Sequence, residues 1–395
     1  MCGPGMSSLL KRGASRRLAV GGCCGGGRGA GVTKDRPCIG YAEAVAVLTY
    51  FTVTKVFLSY HLAVIDRAAT AAWQAVLLVG LVGGAVLLAV VVRLLRPFPG
   101  RSIIEIGEEM AGPWLNAIFA LGYLSFFITA TGLQLRQFSE RIVTGLIPEM
   151  PLSVAVFSFV AGAGIAAYLG VEAIARTARL FFWFEWLSFA AILLVTISFW
   201  EFAGLWPLLG NGPVATLKAG LGQLGLVSDL FLLAVIYPFI PHDRAPAIGR
   251  AVIIHSTLAL TLLVLVLLLA FPYPVTREIS LGAYELSRLV YLGRFVQRLE
   301  TLFLPMWGIA ALVATATGLW ATAYIVSRSL QLPYWRPLLP AAMVFVVAVA
   351  FSAPNAAGAV VLENEFLRRY LAPVTTFAAP FILLWLVGRR RGNRR

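Results

Sequence analysis

Ten apolar runs, divided by short polar or proline- and glycine-rich breaks, dominate the chain. They lie near residues 39–62, 73–95, 114–143, 151–170, 179–200, 222–241, 248–271, 301–327, 336–352 and 372–388. Each is long enough to cross a hydrocarbon core of about 30 Å as a helix, with some tilt. Proline, glycine or charge clusters mark the breaks, at Pro97 to Gly100, Pro148 to Pro151, Pro207 to Pro213, Pro272 to Pro274 and Pro354. The pattern predicts an all-α polytopic membrane protein of about ten spans.

The runs divide into halves of similar length, 39–200 and 222–388, which share no clear sequence identity. Five spans is an odd number, so a second copy enters the bilayer with the opposite orientation. That is the arithmetic of a 5+5 inverted-repeat transporter fold. In such folds the first helix of each half is interrupted near mid-membrane, and the freed backbone lines a substrate site. Span one carries Thr52, Thr54, Lys55 and Ser59 where a uniform apolar helix would have Leu or Val. Span six opens on Gly220, Gly222 and Gly225, continues through Ser228 and Asp229, and ends in Pro238 and Pro241. Interruptions are therefore expected in spans one and six.

Composition supports this plan. Hydrophobic residues make up 59% of the chain and charged residues 13%, against about 25% charged in soluble domains. The net charge of +14 does not point to nucleic acid, because Lys and Arg gather at the ends of apolar runs. With both termini placed in the cytoplasm, 21 Lys and Arg fall inside and nine outside, among them Arg368 and Arg369. Residues 1–38 read as a disordered, basic, Gly-rich tail, and residues 389–395 as a second basic tail. All four cysteines lie in the first tail without metal-site spacing or an apolar signal region. No metal site, cofactor or enzyme chemistry is expected, since no nucleophile–base pair, zinc spacing or phosphate loop is present.

Lone charges in apolar spans are the sharpest candidates for chemistry. An ammonium at membrane depth is costly and is normally paired or turned to a cavity. Lys55 can stand in for a bound cation, bind a ligand carboxylate, or snorkel to the interface. Asp229 can accept a ligand ammonium, carry a proton, or pair with Lys55. Thr54, Ser59, Tyr123, Thr129, Gly225 and Ser228 complete the candidate ligand-binding set, although Tyr and Thr also bond between spans. Arg136 and Glu140 read as a structural pair four residues apart in span three. Glu43 and Glu185 are placed near cytoplasmic ends, where solvation suffices. Gly80 and Gly84 in span two suit close helix packing.

Three segments resemble a known family. PFPGRSIIEIGEEMAG (Pro97 to Gly112), with Pro99, Gly100 and Glu105, resembles the loop after the second span of spore germination permeases. GVEAIARTARLFFW (Gly170 to Trp183) resembles their connection between spans four and five. LSRLVYLGRFVQRLETLFLPMW (Leu286 to Trp307), with Phe295, Arg298 and Glu300, resembles their entry into span eight. These are the GerAB-type B subunits of nutrient germinant receptors, within the amino acid–polyamine–organocation superfamily. The resemblance implies a sensor of a small nutrient such as an amino acid. Its implied setting is the lipid bilayer of the spore inner membrane, beside A- and C-type receptor subunits. A transporter-like ligand pocket is expected between spans one, three, six and eight. A true secondary transporter, or a scaffold with a degenerate pocket, shares the same plan. One departure stands out: relatives show Gly-x-Gly in span one followed by a proline. Here Thr54 and Val56 hold the glycine positions, Lys55 lies between them, and His61 holds the proline position.

Overall fold

The computed structural model describes residues 39–145, 147–289 and 300–392. The tail 1–38, Phe295 and Arg298 lie outside the described residues, and so does the side chain of Glu300. Among the described residues the secondary structure is helical, with no strand.

Two spans are broken, and they are spans one and six. Span one runs as a helix over Tyr41–Val53, tightens into a 3₁₀ turn at Thr54–Phe57, and resumes over Tyr60–Ala68. At Leu58 the backbone becomes extended, with φ −115° and ψ −176°, which ends the hydrogen-bond ladder. Span six begins at Pro213–Leu221, unwinds through short turns at Leu224–Leu226 and Ser228–Phe231, and closes with Leu232–Ile236. Pro213 sits at the start of a helix, where its missing N–H costs nothing. Span six thus starts well before residue 222, where the apolar pattern placed it.

Span two (Ala72–Leu78 and Gly84–Leu95) contains a π-helical turn at Val79–Gly83. Span three is Pro113–Gly145, span four Leu152–Leu169, span five Val171–Val195 and span seven Ala245–Ala270. Span eight is Glu300–Ser329 and span nine Leu339–Ser352. Span ten starts at Ala356–Val361 and is π-helical over Leu362–Leu371 and Val374–Ala378 before Ala379–Gly392. Its start also differs from the expected residue 372. The charged stretch Glu363 to Arg369 reads as a loop by hydropathy, yet it is part of the helix.

Seven described helices are long and apolar enough to cross a membrane, and Ser228–Phe239 and Arg336–Ser352 are shorter apolar helices. Large apolar side chains such as Leu121, Ile165, Leu180 and Leu187 are exposed on spans three to five. Exposed apolar side chains in this number fit lipid rather than water. The chain is an integral membrane protein with a ten-span, 5+5 inverted-repeat plan.

Packing places the broken helices at the centre. Span one lies against spans five, seven and eight, while the π-helical part of span ten lies against the break in span six. Spans eight and nine pack along span three. Gly80 and Gly84 form the contact face of span two on span seven. A methyl group at Gly80 would meet Thr257 Oγ1 at 2.4 Å, and one at Gly84 would meet Ile253 at 3.1 Å.

The Pro97 to Gly112 segment has a local reason for its residues. Gly100 takes φ +78°, a left-handed turn that side-chain-bearing residues disfavour. Ser102 then caps the helix Ile103–Ala111. Its N–H donates to Glu105 Oε2 at 2.8 Å, and its Oγ accepts the Glu105 N–H at 3.3 Å. Glu105 also lies 3.7 Å from Arg328 at the end of span eight. Pro99 is exposed in the turn.

Candidate functional site

The break in span one meets the break in span six. Lys55 Nζ lies 2.7 Å from Asp229 Oδ2 and also donates to the Leu226 carbonyl, which unwinding has freed. On the other side of Asp229, Arg368 Nη1 donates to Oδ1 at 2.9 Å and to the Gly225 carbonyl at 3.2 Å. Arg368 also donates to Glu363 Oε1, from Nε at 3.3 Å and from Nη2 at 3.1 Å. Gln137 of span three donates to the second Glu363 oxygen. The side chains of Lys55, Asp229, Arg368 and Glu363 are no more than 7% exposed.

The cluster is formally neutral, with two cations and two carboxylates, and joins spans one, three, six and ten. Charges at such depth persist only when paired and hydrogen-bonded. The local helix geometry makes this possible. In the π-helical stretch Leu362–Leu371, bonding five residues apart brings Glu363 and Arg368 together on one side. At Gly225 the backbones of spans six and ten nearly touch. A Cβ there would lie 2.2 Å from the Arg368 carbonyl oxygen and 2.4 Å from its Cα. Only glycine admits this approach.

An aromatic layer adjoins the cluster. Phe231, two residues after Asp229, has its ring centroid 4.6 Å from that of Tyr123 and 6.5 Å from that of Phe127. Phe51 of span one lies 5.8 Å from Phe127. Tyr123 is buried, and its hydroxyl has no hydrogen-bond partner among the described residues. Gln223, in the span-six break, is also fully buried, with both amide atoms unpartnered among the described residues.

The remaining candidates lie elsewhere. Thr54 bonds back to the Tyr50 carbonyl and faces a cavity towards span five. Ser59 Oγ donates to the Ser280 carbonyl at 2.7 Å, so it holds the segment after span seven rather than the cluster. Ser228 is buried and turns back towards the Leu224 carbonyl at 3.5 Å. Thr129 is half-buried in span three. Arg136 and Glu140 pair at 2.8 Å and tie span three to the turn between spans nine and ten. Arg136 reaches the Ala350 and Pro354 carbonyls, and Glu140 accepts the Ala356 N–H at 2.9 Å.

One expectation is corrected. Arg368, placed on the external surface by the apolar pattern, is an interior residue at 2% exposure. Span ten, which was not expected at the site, supplies side chains to the charged cluster. Arg368, Glu363, Gln137 and Gln223 were not among the expected site residues. The five-residue spacing of Glu363 and Arg368 is the one sequence signal for them, and a surface helix shows similar spacings.

Further contacts tie spans one and three to the segment after span seven, and span one to span ten. His61 Nε2 lies 2.7 Å from the Ile279 carbonyl, and Arg141 donates to Ser280 Oγ at 3.2 Å. Arg67 pairs with Glu365, linking span one to span ten, and Arg277 pairs with Asp66 at 2.8 Å. Paired charges at two helix breaks can exchange their internal ion pair for the two charges of a zwitterion. A ligand carboxylate would take Lys55, and a ligand ammonium would take Asp229. Among the described residues, no group of three His, Cys, Asp or Glu gathers to hold a metal.

Comparison with known proteins agrees with this architecture. The fold resembles that of Mhp1, a nucleobase-cation-symport-1 family transporter solved closed with bromovinylhydantoin. The TM-score is 0.60 at 12% identity, covering 90% of this chain and 80% of that one. MhsT, solved with L-phenylalanine, gives 0.53 at 13% identity, covering 90% and 99%. At those identities the likeness is one of fold. Among sequences, spore germination protein YndE of Bacillus subtilis (strain 168) is 25% identical over 254 residues, 62% of this chain and 67% of its own. Spore germination protein KB of the same organism is 24% identical over 257 residues, 64% and 68%. The family model described as "Spore germination protein" matches residues 39–359. The chain belongs to the spore permease family of spore germination proteins.

Proposed function

We propose that this protein is the membrane B subunit of a spore nutrient germinant receptor, sensing a small zwitterionic nutrient, most simply an amino acid. The observation that carries the reading is the Lys55–Asp229 pair at the meeting of two interrupted helices. In the ligand-free state this pair latches span one to span six. A bound amino acid replaces it with two ion pairs of its own, and its side chain lies on the Tyr123–Phe231 layer. The ligand shifts the protein only so far as it binds the two conformations with different affinity. Family membership and likeness to spore germination protein KB support assembly in a receptor, with A- and C-type subunits as the partners. The excess of Lys and Arg in the segments assigned to the cytoplasm supports cytoplasmic termini, and the spore inner membrane is the proposed location. The protein works as a sensor and not as an enzyme, without cofactor and without nucleic acid.

Spores lacking this chain should lose response to one nutrient. The wild-type gene should restore it, and Asp229→Leu should not. Full response in spores lacking the chain would overturn the proposal. A second reading, active transport of the same ligand, is favoured by the fold shared with Mhp1 and MhsT. Net uptake of a labelled amino acid by proteoliposomes of the purified chain alone would establish it. Binding without uptake would favour the sensor.

A further inference from the structure

A second set of buried polar groups lies on the other side of span one. Thr49, Tyr50 and Thr54 of span one, and Glu185 of span five, line a small cavity that Ala259 of span seven and Ala310 of span eight also border. Its volume of about 30 Å³ is room for a small ion or a water. Thr49 is 3% exposed and Tyr50 5%. Among the described residues, Thr49 Oγ1, Tyr50 Oη and Glu185 Oε1 are buried atoms without a hydrogen-bond partner. The Tyr50 hydroxyl adjoins the Glu185 carboxyl. Glu185 is part-buried with its Oε1 withdrawn from solvent, where its sequence position suggested a solvated interfacial residue.

Among the described residues, no cation accompanies this carboxyl. From span one the titratable neighbour is Tyr50, and from span seven it is His255, which lies behind the rings of Phe182 and Trp186. The described residues of spans four and eight bring no charged side chain to the cavity. The short helix Gly282–Arg288, which also packs on span five, carries Glu285 and Arg288, and these pair with each other. The internal repeat sharpens the contrast. Span five lies against broken span one as span ten lies against broken span six. The span-ten carboxylate, Glu363, has its own Arg368. The span-five carboxyl has none among the described residues, and holding an ionised carboxyl oxygen out of water without a counter-charge is costly.

We infer that Glu185, with Tyr50 and Thr49, forms a site for a monovalent cation, a proton or a sodium ion. Three oxygen groups, one of them anionic, around a space of ionic size suit either. Thr54 lines this cavity and Lys55, the next residue, enters the charged cluster, so occupancy bears directly on the break in span one. The inference does not depend on what nutrient, if any, the cluster binds.

The test uses the full chain in lipid nanodiscs. Thermal midpoints are recorded in sodium chloride against matched choline chloride, and infrared difference spectra across pH. A sodium site gives a wild-type midpoint that rises with sodium over choline. A proton site gives a buried carboxylic-acid band that titrates. Glu185→Gln should abolish whichever response the wild type shows. Thr49→Val should weaken sodium half-saturation by about tenfold or more, as the loss of one oxygen donor to a charge implies, while sparing the acid band. If Glu185→Gln does not fold, Glu185→Asp serves, with half-saturation or titration displaced from that of the wild type. A Glu185 variant that responds as the wild type does, or a wild type that shows neither response, would overturn the inference.

Discussion

Lys55 Nζ stands 2.7 Å from Asp229 Oδ2, so the two interrupted helices of the repeat meet through one ion pair. Asp229 is shared, since Arg368 holds its other oxygen at 2.9 Å. This sharing ranks the consequences of substitution. Lys55→Met leaves Asp229 bonded to Arg368, whereas Asp229→Leu strands Lys55 without a counter-ion. Removing one partner of a buried pair costs about 3–5 kcal/mol. Asp229→Leu should lie at the upper end and Lys55→Met at the lower. The double variant, which leaves only the Arg368–Glu363 pair, should be more stable than Asp229→Leu alone. Thermal or denaturant unfolding of the purified variants checks the order, and additive losses would mean that the two residues do not interact.

Gly225 is set by the backbone of Arg368 rather than by its own helix. Gly225→Ala should destabilise the protein by about 1–3 kcal/mol through overpacking and loosen the guanidinium from the Gly225 carbonyl. At Gly308 in span eight, an added methyl group would meet nothing within 4 Å among the described residues. Gly308→Ala should therefore be neutral, or stabilising by about 0.5–1 kcal/mol from helix propensity. Unfolding midpoints of the two variants provide the comparison.

The parts legible in the sequence are those where one residue contradicts its surroundings. Lys55 and Asp229 are lone charges in apolar runs, and the glycines from Gly220 to Gly225 are poor helix formers, so both breaks could be expected. Arg368 and Glu363 have the opposite character. They sit among Glu365 and Arg369, and a dense mixture of charges reads as a wet surface. Only the π-helical winding turns Glu363 and Arg368 inward while Glu365 and Arg369 stay half-exposed, and winding is a property of the packed helix. The start of span six is hidden for a related reason, because Pro213 and the glycines resemble a linker. Glu185 escapes a reading by hydropathy because its depth depends on how span five crosses span one.

The charge bias makes a topological prediction. Glu278, in the segment between spans seven and eight, is exposed. In a cysteine-free background, Glu278→Cys should label from outside and Gly392→Cys from inside. Labelling of both from the same side would contradict the orientation and the span count together.

The central claim is that the Lys55–Asp229 pair yields its place to a zwitterionic ligand, and equilibrium binding tests it most directly. A panel of amino acids is titrated into the purified full-length protein and into the Lys55→Met, Asp229→Leu double variant. At least one amino acid should bind the wild type saturably. The double variant should bind it at least about a hundredfold more weakly, since two charge-assisted hydrogen bonds are lost at about 1.5–3 kcal/mol each. Equal affinity in the two proteins would contradict the account.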